Sequence, residues 1–170
     1  MLYGKHGFSV HINAPKETVR DALWEDASYR DWTSAFMEGS YAVTDNWKEG
    51  TKVWFLDPKG SRMVSIVAEN RPYEYMSFRH LGEVIDGVAD TTSYKVKQWS
   101  GAFENYTLTR AGGRTHLEVN MGGNLSEDFK AYFAATLAKG FTEIKKDRGK
   151  KNRSSAGEFF TVDARRGKRI

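Results

Sequence analysis

Residues 8–32 place a strand pattern, a proline-marked corner and a helical pattern in direct succession. Phe8, Val10 and Ile12 alternate with polar residues, which is the period-two pattern of a half-buried strand. Pro15 suits the first turn of a helix, because its missing N–H needs no partner there and its φ is already helical. Apolar residues at helical spacing follow, namely Val19, Ala22, Leu23 and Ala27. Because strand patterns then dominate up to one last helix, this order indicates a fold built around a cavity.

A second short helix is predicted over residues 28–36, with Ser28 as its cap and three aromatic side chains at spacings of three and four. Strand patterns follow, and turn sequences such as Asp-Pro-Lys-Gly at 57–60 separate them. The strands are predicted over residues 41–43, 52–56, 62–69, 75–81, 102–110 and 115–121. Their succession predicts an antiparallel meander.

Residues 82–100 interrupt the strand patterns and form a longer connection than a hairpin requires. Thr92 or Ser93 is suited to cap a short helical turn that runs through Trp99. Since long ordered loops are often functional, we expect this segment to lie over the mouth of a cavity.

The last helix is predicted to begin after Ser126 and to end at Gly149. Glu127 and Asp128 occupy its first turn, where the helix dipole favours acidic residues. Its apolar stripe consists of Phe129, Phe133, Leu137, Gly140, Phe141 and Ile144. We expect this stripe to face the sheet.

The composition excludes several classes of site. Without cysteine the chain has no disulfide, no thiolate nucleophile and no cysteine-based zinc site. No apolar run approaches the ~20 residues that cross a bilayer. Residues 1–25 also lack the pattern of a signal peptide. The expectation is therefore a cytoplasmic protein that has no membrane partner.

The net charge of +4 is concentrated at the C-terminal end of the sequence. Residues 149–170 hold seven basic and two acidic residues, whereas residues 1–148 are close to neutral. We expect one domain over residues 1–148 and a basic, flexible tail over residues 149–170. Few aromatic residues lie among the cations of the tail, so nucleic acid is not expected as a partner.

The order of strand, two helices, six strands and long helix resembles the START-like superfamily, also called birch-pollen-allergen-like or SRPBCC. Within it, the chain resembles the one-domain form of the family of activators of the 90-kDa heat-shock chaperone ATPase. The resemblance is carried by VHINAPKETVRDAL at 10–23, Trp32, EGTKVWF at 49–55, AENRPYEYMSF at 68–78 and the final hairpin and helix. It implies an α+β helix-grip fold, in which a curved antiparallel sheet of six to seven strands wraps around a long C-terminal helix.

The same resemblance implies a ligand cavity between the sheet and the last helix. Alternation leaves two choices for one strand, with either Val53 and Phe55 or Trp54 and Leu56 facing inward. The predicted ligand-binding residues are Trp32, Phe36, Trp54, Met76, Phe78, His80, Trp99, Tyr106, Met121, Phe133, Leu137 and Phe141. The alternative is that these side chains fill a core that has no void.

His80 is the most informative polar residue, because it is in register with the inward-facing Met76 and Phe78. A neutral imidazole there would hydrogen-bond a ligand or transfer a proton. The plainer interpretation is a histidine at a strand end that bonds to a neighbour or to water. His80 is thus a weak candidate for a catalytic residue.

Three functions remain open from the sequence. The first is a protein that binds a small hydrophobic molecule by excluding water from it. The second is an enzyme of the cyclase or lyase type, in which His80 works with a carboxylate such as Glu83, Asp86 or Asp90. The third is a chaperone-interacting protein. No cofactor is predicted, and the four histidines lack the spacing of metal ligands. An exposed edge strand would suit a homodimer.

Overall fold

An antiparallel sheet of eight strands dominates the part of the chain that the structure describes. The computed structural model describes the backbone of residues 6–151 and the side chains of residues 7–141. The strands are β1 (His6–Ile12), β2 (Tyr41–Val43), β3 (Lys52–Leu56), β4 (Arg62–Arg71), β5 (Tyr75–Ile85), β6 (Val88–Asp90), β7 (Phe103–Ala111) and β8 (Arg114–Gly122). They lie in the order β1-β8-β7-β5-β4-β3-β2, and β6 pairs with β5.

The helices lie at the two ends of the described chain and in one connection. They are α1 (Lys16–Trp24), α2 (Asp26–Thr33), α3 (Tyr94–Lys97) and α4 (Glu127–Lys151). The predicted α+β helix-grip fold is confirmed, with one strand more than the six or seven expected. No described helix has both the length and the apolar character that crossing a membrane requires. The tail is predicted over residues 149–170, and its residues 152–170 lie outside the part of the chain that the structure describes.

The extra strand arises within the segment 82–100. Strand β5 continues to Ile85, and Asp86 and Gly87 form a two-residue turn into β6. Both turn residues have positive φ, 49° and 78°, as the favoured hairpin turns require. The Asp-Gly pair between apolar residues was the available sequence signal. The capping prediction is confirmed at Ser93, whose hydroxyl accepts a hydrogen bond from the Val96 N–H at 3.3 Å.

Three helix boundaries differ from the prediction. Pro15 precedes α1 in an extended conformation, with ψ of 158°, and acts as its N-cap instead of lying in the first turn. Helix α2 covers Asp26–Thr33 and not 28–36, because the extended Glu25 ends one helix and starts the next. Helix α4 runs past Gly149 to Lys151, since a glycine inside a helix costs only about 1 kcal/mol.

Strands β4 and β5 bend where their register shifts. The shifts lie between Val64 and Ser65 and between Val67 and Glu69. Such irregularities kink a strand and increase the twist of its pair, which curves the sheet around its inner face. The same register places Ser65 directly opposite His80, so that the two polar side chains share that inner face.

The centre of the core is aromatic. Trp24 of α1 lies edge-on to Phe78 and Tyr106, with ring centroids 5.1 and 4.9 Å apart. Phe55 of β3 lies edge-on to Phe78 at 5.3 Å. Phe78 is fully buried in this cluster. Edge-to-face contacts of this kind add to the stabilisation that burial of the rings already provides.

Helix α4 approaches α2 most closely at Gly140. A Cβ atom at this position would lie 2.5 Å from the carbonyl oxygen of Trp32, so only glycine permits the contact. The Trp32 indole is buried, donates its N–H to the Leu23 carbonyl at 3.0 Å, and stacks on Phe141 at 5.4 Å. The two helices are therefore fixed against each other at one point by backbone and ring contacts together.

Gly140→Ala is expected to destabilise the protein by about 1–2 kcal/mol, because overpacking outweighs the gain in helix propensity. Gly113→Ala is the matched control, since a Cβ there meets nothing within 4 Å. Urea unfolding followed by circular dichroism measures both free energies. Equal stability of the two variants would contradict the close approach of α4 to α2.

Candidate ligand cavity

A cavity of about 600 Å³ lies between the inner face of the sheet, helix α2 and the first turns of α4. This volume falls within the roughly 300–1,000 Å³ that is typical of small-molecule sites. Most of its wall is aromatic or aliphatic. Three large side chains that line it remain exposed to solvent: Met37 is 47% exposed, Phe129 is 42% exposed and Tyr132 is 53% exposed. They form an apolar rim that faces solvent.

Seven of the twelve predicted ligand-binding residues lie in the cavity wall. They come from α2 and the turn after it, from β5, from the segment before β7, from β7 and β8, and from α4. These residues are Trp32, Phe36, His80, Trp99, Tyr106, Met121 and Phe133. The structure thus brings Trp32 of α2 and Trp99 of the segment 82–100 into the wall of the same cavity.

Four predicted residues lie in the packed core and not in the wall: Met76, Phe78, Leu137 and Phe141. All four are buried, so their inward direction was predicted correctly. Alternation and helical spacing identify the face on which a side chain lies. They do not give its distance from the point where α4 meets the sheet, which decides between core and cavity.

Trp54 is corrected by the structure, because it lies on the opposite face of β3. Val53 and Phe55 are buried in the core, whereas Trp54 is only partly buried and is not part of the cavity wall. Phe55 lines the cavity together with Met63, its cross-strand neighbour on β4. Alternation had left two choices open for this strand. The choice that directed Trp54 and Leu56 inward was therefore wrong.

A chain of buried polar side chains crosses the cavity wall from β4 to β7. The Ser65 hydroxyl lies 2.8 Å from His80 Nδ1, and His80 Nε2 lies 3.4 Å from Glu104 Oε2. Tyr106 donates its hydroxyl hydrogen to Glu104 Oε1. A proton on His80 Nε2 lets Nδ1 accept from Ser65 and directs the imidazole N–H towards Glu104. His80 is thus bonded to a neighbouring side chain, Ser65, as its plainer interpretation predicted, and its other nitrogen faces Glu104.

Glu104 is the carboxylate beside His80, and the sequence analysis did not name it. The available signal was alternation along β7, which puts position 104 on the same face as Tyr106. Two of the three acidic residues of segment 82–100 have other partners. Glu83 lines the cavity but pairs with Lys95 at 3.0 Å. The Asp90 carboxylate accepts hydrogen bonds from Ser93 and Thr92, and those bonds lower its pKa. The carboxylate that the structure places beside His80 is therefore Glu104, and neither Glu83 nor Asp90.

Two tyrosines in the wall are held in their neutral form. Burial raises the pKa of Tyr106 well above its ordinary value of 10.0, and the adjacent Glu104 raises it further. Burial also raises the pKa of Tyr29 strongly. The positive charge of Arg62 lowers this pKa in part, whereas the negative charge of Glu104 raises it further. Both hydroxyls therefore remain hydrogen-bond donors at physiological pH.

Arg62 and Tyr29 are wall residues that the sequence analysis missed. Tyr29 was part of the aromatic spacing of the second helix, so a signal existed. Arg62 had none, because alternation places it on the outer face of β4. The structure gives it a φ of 140°, outside the usual range of a strand, and its guanidinium lies 5.8 Å from the centroid of the Phe36 ring.

No protein-family model and no curated protein matches the chain. Solved structures resemble it at low sequence identity. A protein from Cytophaga hutchinsonii is 17% identical with a TM-score of 0.64, covering 89% of this chain and 98% of that one. The Aha1 dimer from Colwellia psychrerythraea is 17% identical with a TM-score of 0.59, covering 86% and 95%. An HSP90 activator from Plasmodium falciparum is 11% identical with a TM-score of 0.56, covering 85% and 96%. These matches show that the chain shares the fold of those proteins, a helix-grip α+β fold.

The buried tyrosines predict an alkaline transition. In the unfolded chain tyrosine ionises near its ordinary pKa of 10.0, whereas Tyr29 and Tyr106 ionise well above it in the folded protein. Above about pH 10 the unfolded state therefore binds fewer protons than the folded state. The free energy of unfolding keeps the full contribution of the two tyrosines below that pH, and it falls as the pH rises towards their folded pKa values. Ultraviolet titration of tyrosinate should show a late phase.

Replacing both Tyr29 and Tyr106 with phenylalanine is expected to remove that late phase. Tyr94→Phe is the control, because Tyr94 is highly exposed and its removal should leave the late phase unchanged. A late phase that persists in the double variant would contradict the assignment.

Proposed function

We propose that this protein binds a small, mostly apolar molecule in the cavity between the sheet and α4. The observation that supports the proposal is a void of about 600 Å³ whose wall is dominated by aromatic and methionine side chains. Burial of apolar surface contributes about 25 cal/mol per Å² removed from water. Such a wall therefore favours a ligand that is largely hydrocarbon or aromatic, and it favours exclusion of water from that ligand.

The rim supports access from solvent on the side of α4. Met37, Phe129 and Tyr132 are exposed there although all three are large and apolar. Flexible methionine and aromatic side chains at a rim adapt to ligands of irregular shape. Polar groups on the wall that the protein leaves unpaired would orient what enters. The interior is thus suited to sequestration of a bound molecule.

The geometry favours binding over catalysis. An enzyme of the cyclase or lyase type would use His80 to move a proton, with Glu104 beside it at 3.4 Å. Each imidazole nitrogen already faces a protein group, Ser65 on one side and Glu104 on the other. A general base must reach the proton that it abstracts, and here Nδ1 is already bonded to Ser65 while Nε2 faces a carboxylate of the protein.

Native mass spectrometry of freshly purified protein tests the proposal. The expected result is a discrete extra mass that disappears on denaturation. Leu125→Trp, which places a larger side chain in the cavity wall, should lower the occupied fraction by about ten-fold, since overpacking opposes the ligand by more than 1 kcal/mol.

Ile66→Trp is the control for that experiment. Ile66 lies on the other face of β4, opposite Lys52 and Arg79, and is not part of the cavity wall. Both variants should first show the same unfolding temperature. A bare native mass in the wild type, combined with no binding of added apolar probes, would count against a ligand cavity.

A second candidate function is contact with a 90-kDa heat-shock chaperone. Its support is that an HSP90 activator and Aha1 are among the solved structures that resemble this chain. Adding the full chain to the purified chaperone is then expected to raise its steady-state ATPase rate. Leu125→Trp should leave that rise intact, because the contact would not use the cavity. An unchanged rate at saturating concentration would argue against this candidate.

The Aha1 structure is a dimer, and a homodimer of this chain is part of the same proposal. Light scattering across a range of protein concentrations gives the mass in solution directly.

A further inference from the structure

Arg62 lies in the cavity wall with its charge uncompensated. Among the described residues, no carboxylate oxygen lies within the 4.0 Å of an ion pair with it, and no hydrogen bond to its guanidinium is formed. Its guanidinium lies over the Phe36 ring, 5.8 Å from the ring centroid. A partly buried cation without a counter-charge is unfavourable, because it gives up hydration without a partner. We propose that the ligand carries an anionic group, of the carboxylate class, which binds to Arg62.

This inference rests on the proposed function and adds the chemistry of one end of the ligand. A guanidinium presents parallel N–H donors in a rigid, planar arrangement that matches the two oxygens of a carboxylate. The hydrogen bonds formed in this way are charge-assisted, and they are stronger inside a cavity than in water.

The acidic residues of the wall do not fill this role. Glu104 already accepts the Tyr106 hydroxyl on Oε1 and faces His80 with Oε2. Glu83 is paired with Lys95. Both carboxylates of the wall therefore have their partners, and Arg62 is left as the cation that faces the cavity without one.

A second group nearby is also unpaired. The Tyr29 side chain is 95% buried and lines the cavity, yet its hydroxyl has no hydrogen-bond partner among the described residues. The influence of the Arg62 charge on this hydroxyl supports their proximity. Buried polar groups are normally satisfied, so an unpaired donor in a void indicates where a ligand acceptor binds.

The backbone at Arg62 supports a functional placement of its side chain. Register pairs Arg62 with Leu56 and Val84, so regular alternation would direct it to the outer face. Its φ of 140° breaks that alternation at the start of β4. A non-glycine residue with this φ is strained by about 1–3 kcal/mol, and such strain concentrates at binding sites. The side chain is thus held towards the cavity against the local preference of the strand.

The test uses two pairs of probes that differ only in charge at one end: 2-naphthoate with 2-naphthamide, and decanoate with decanamide. Calorimetry at neutral pH gives the affinities for the full-length protein. In at least one pair the carboxylate is expected to bind about ten-fold or more tightly than the amide. Arg62→Met should abolish that preference while retaining affinity for the amide.

Two further variants separate the roles of the groups. Arg62→Lys keeps the charge without the planar donor arrangement and should retain part of the preference. Tyr29→Phe should weaken carboxylate binding by roughly three- to ten-fold, the effect of one hydrogen bond. Ile66→Trp, on the other face of β4, should leave both affinities unchanged.

The outcomes distinguish this inference from the proposed function. Equal binding of acid and amide, or a preference that survives in Arg62→Met, would overturn the anion site and leave the apolar cavity standing. Failure of all four probes to bind, together with a bare native mass, would overturn both.

Discussion

The contact between Gly140 and Trp32 sets the geometry on which the rest of the structure depends. With no side chain at 140, α4 rests directly on the backbone of α2, and the Trp32 indole is held by its hydrogen bond to Leu23 and by Phe141. Helix and sheet are therefore closed tightly at this point. Towards its N-terminal end α4 borders the open space, where Phe129 and Tyr132 are exposed. The cavity is the wedge left between the sheet and the part of α4 that precedes this fixed point.

This wedge explains which parts of the site could be predicted from the sequence. Among the described side chains the stripe on α4 was correct as a face. Leu137 and Phe141 flank Gly140 and lie in the core, whereas Phe133, one turn before Leu137, lines the cavity. Ile144, also part of the predicted stripe, lies outside the described side chains. Spacing encodes the direction of a side chain. The separation of α2 and α4 depends on the contact between Trp32 and Gly140, which are 108 positions apart in the sequence. No local sequence pattern predicts such a contact.

The fold was more predictable than the site, because local signals specify strands, turns and caps directly. The Ser93 cap was predicted from a few residues, and Asp86-Gly87 carried an equally local signal for β6. Arg62 differs in kind. Its side chain reaches the cavity only because its backbone departs from the strand, and a pattern that assumes regular alternation assigns it to the wrong face.

The polar groups of the wall divide according to whether the protein itself satisfies them. Ser65, His80, Glu104 and Tyr106 bond to one another, so they form a closed network that fixes β4, β5 and β7 side by side. A satisfied network of this kind stabilises and specifies the wall, but it has little bonding capacity left for a ligand. The unpaired groups, Arg62 and Tyr29, are the ones with free capacity. The specificity of an otherwise apolar cavity therefore rests on these two side chains, and not on the histidine that the sequence made most conspicuous.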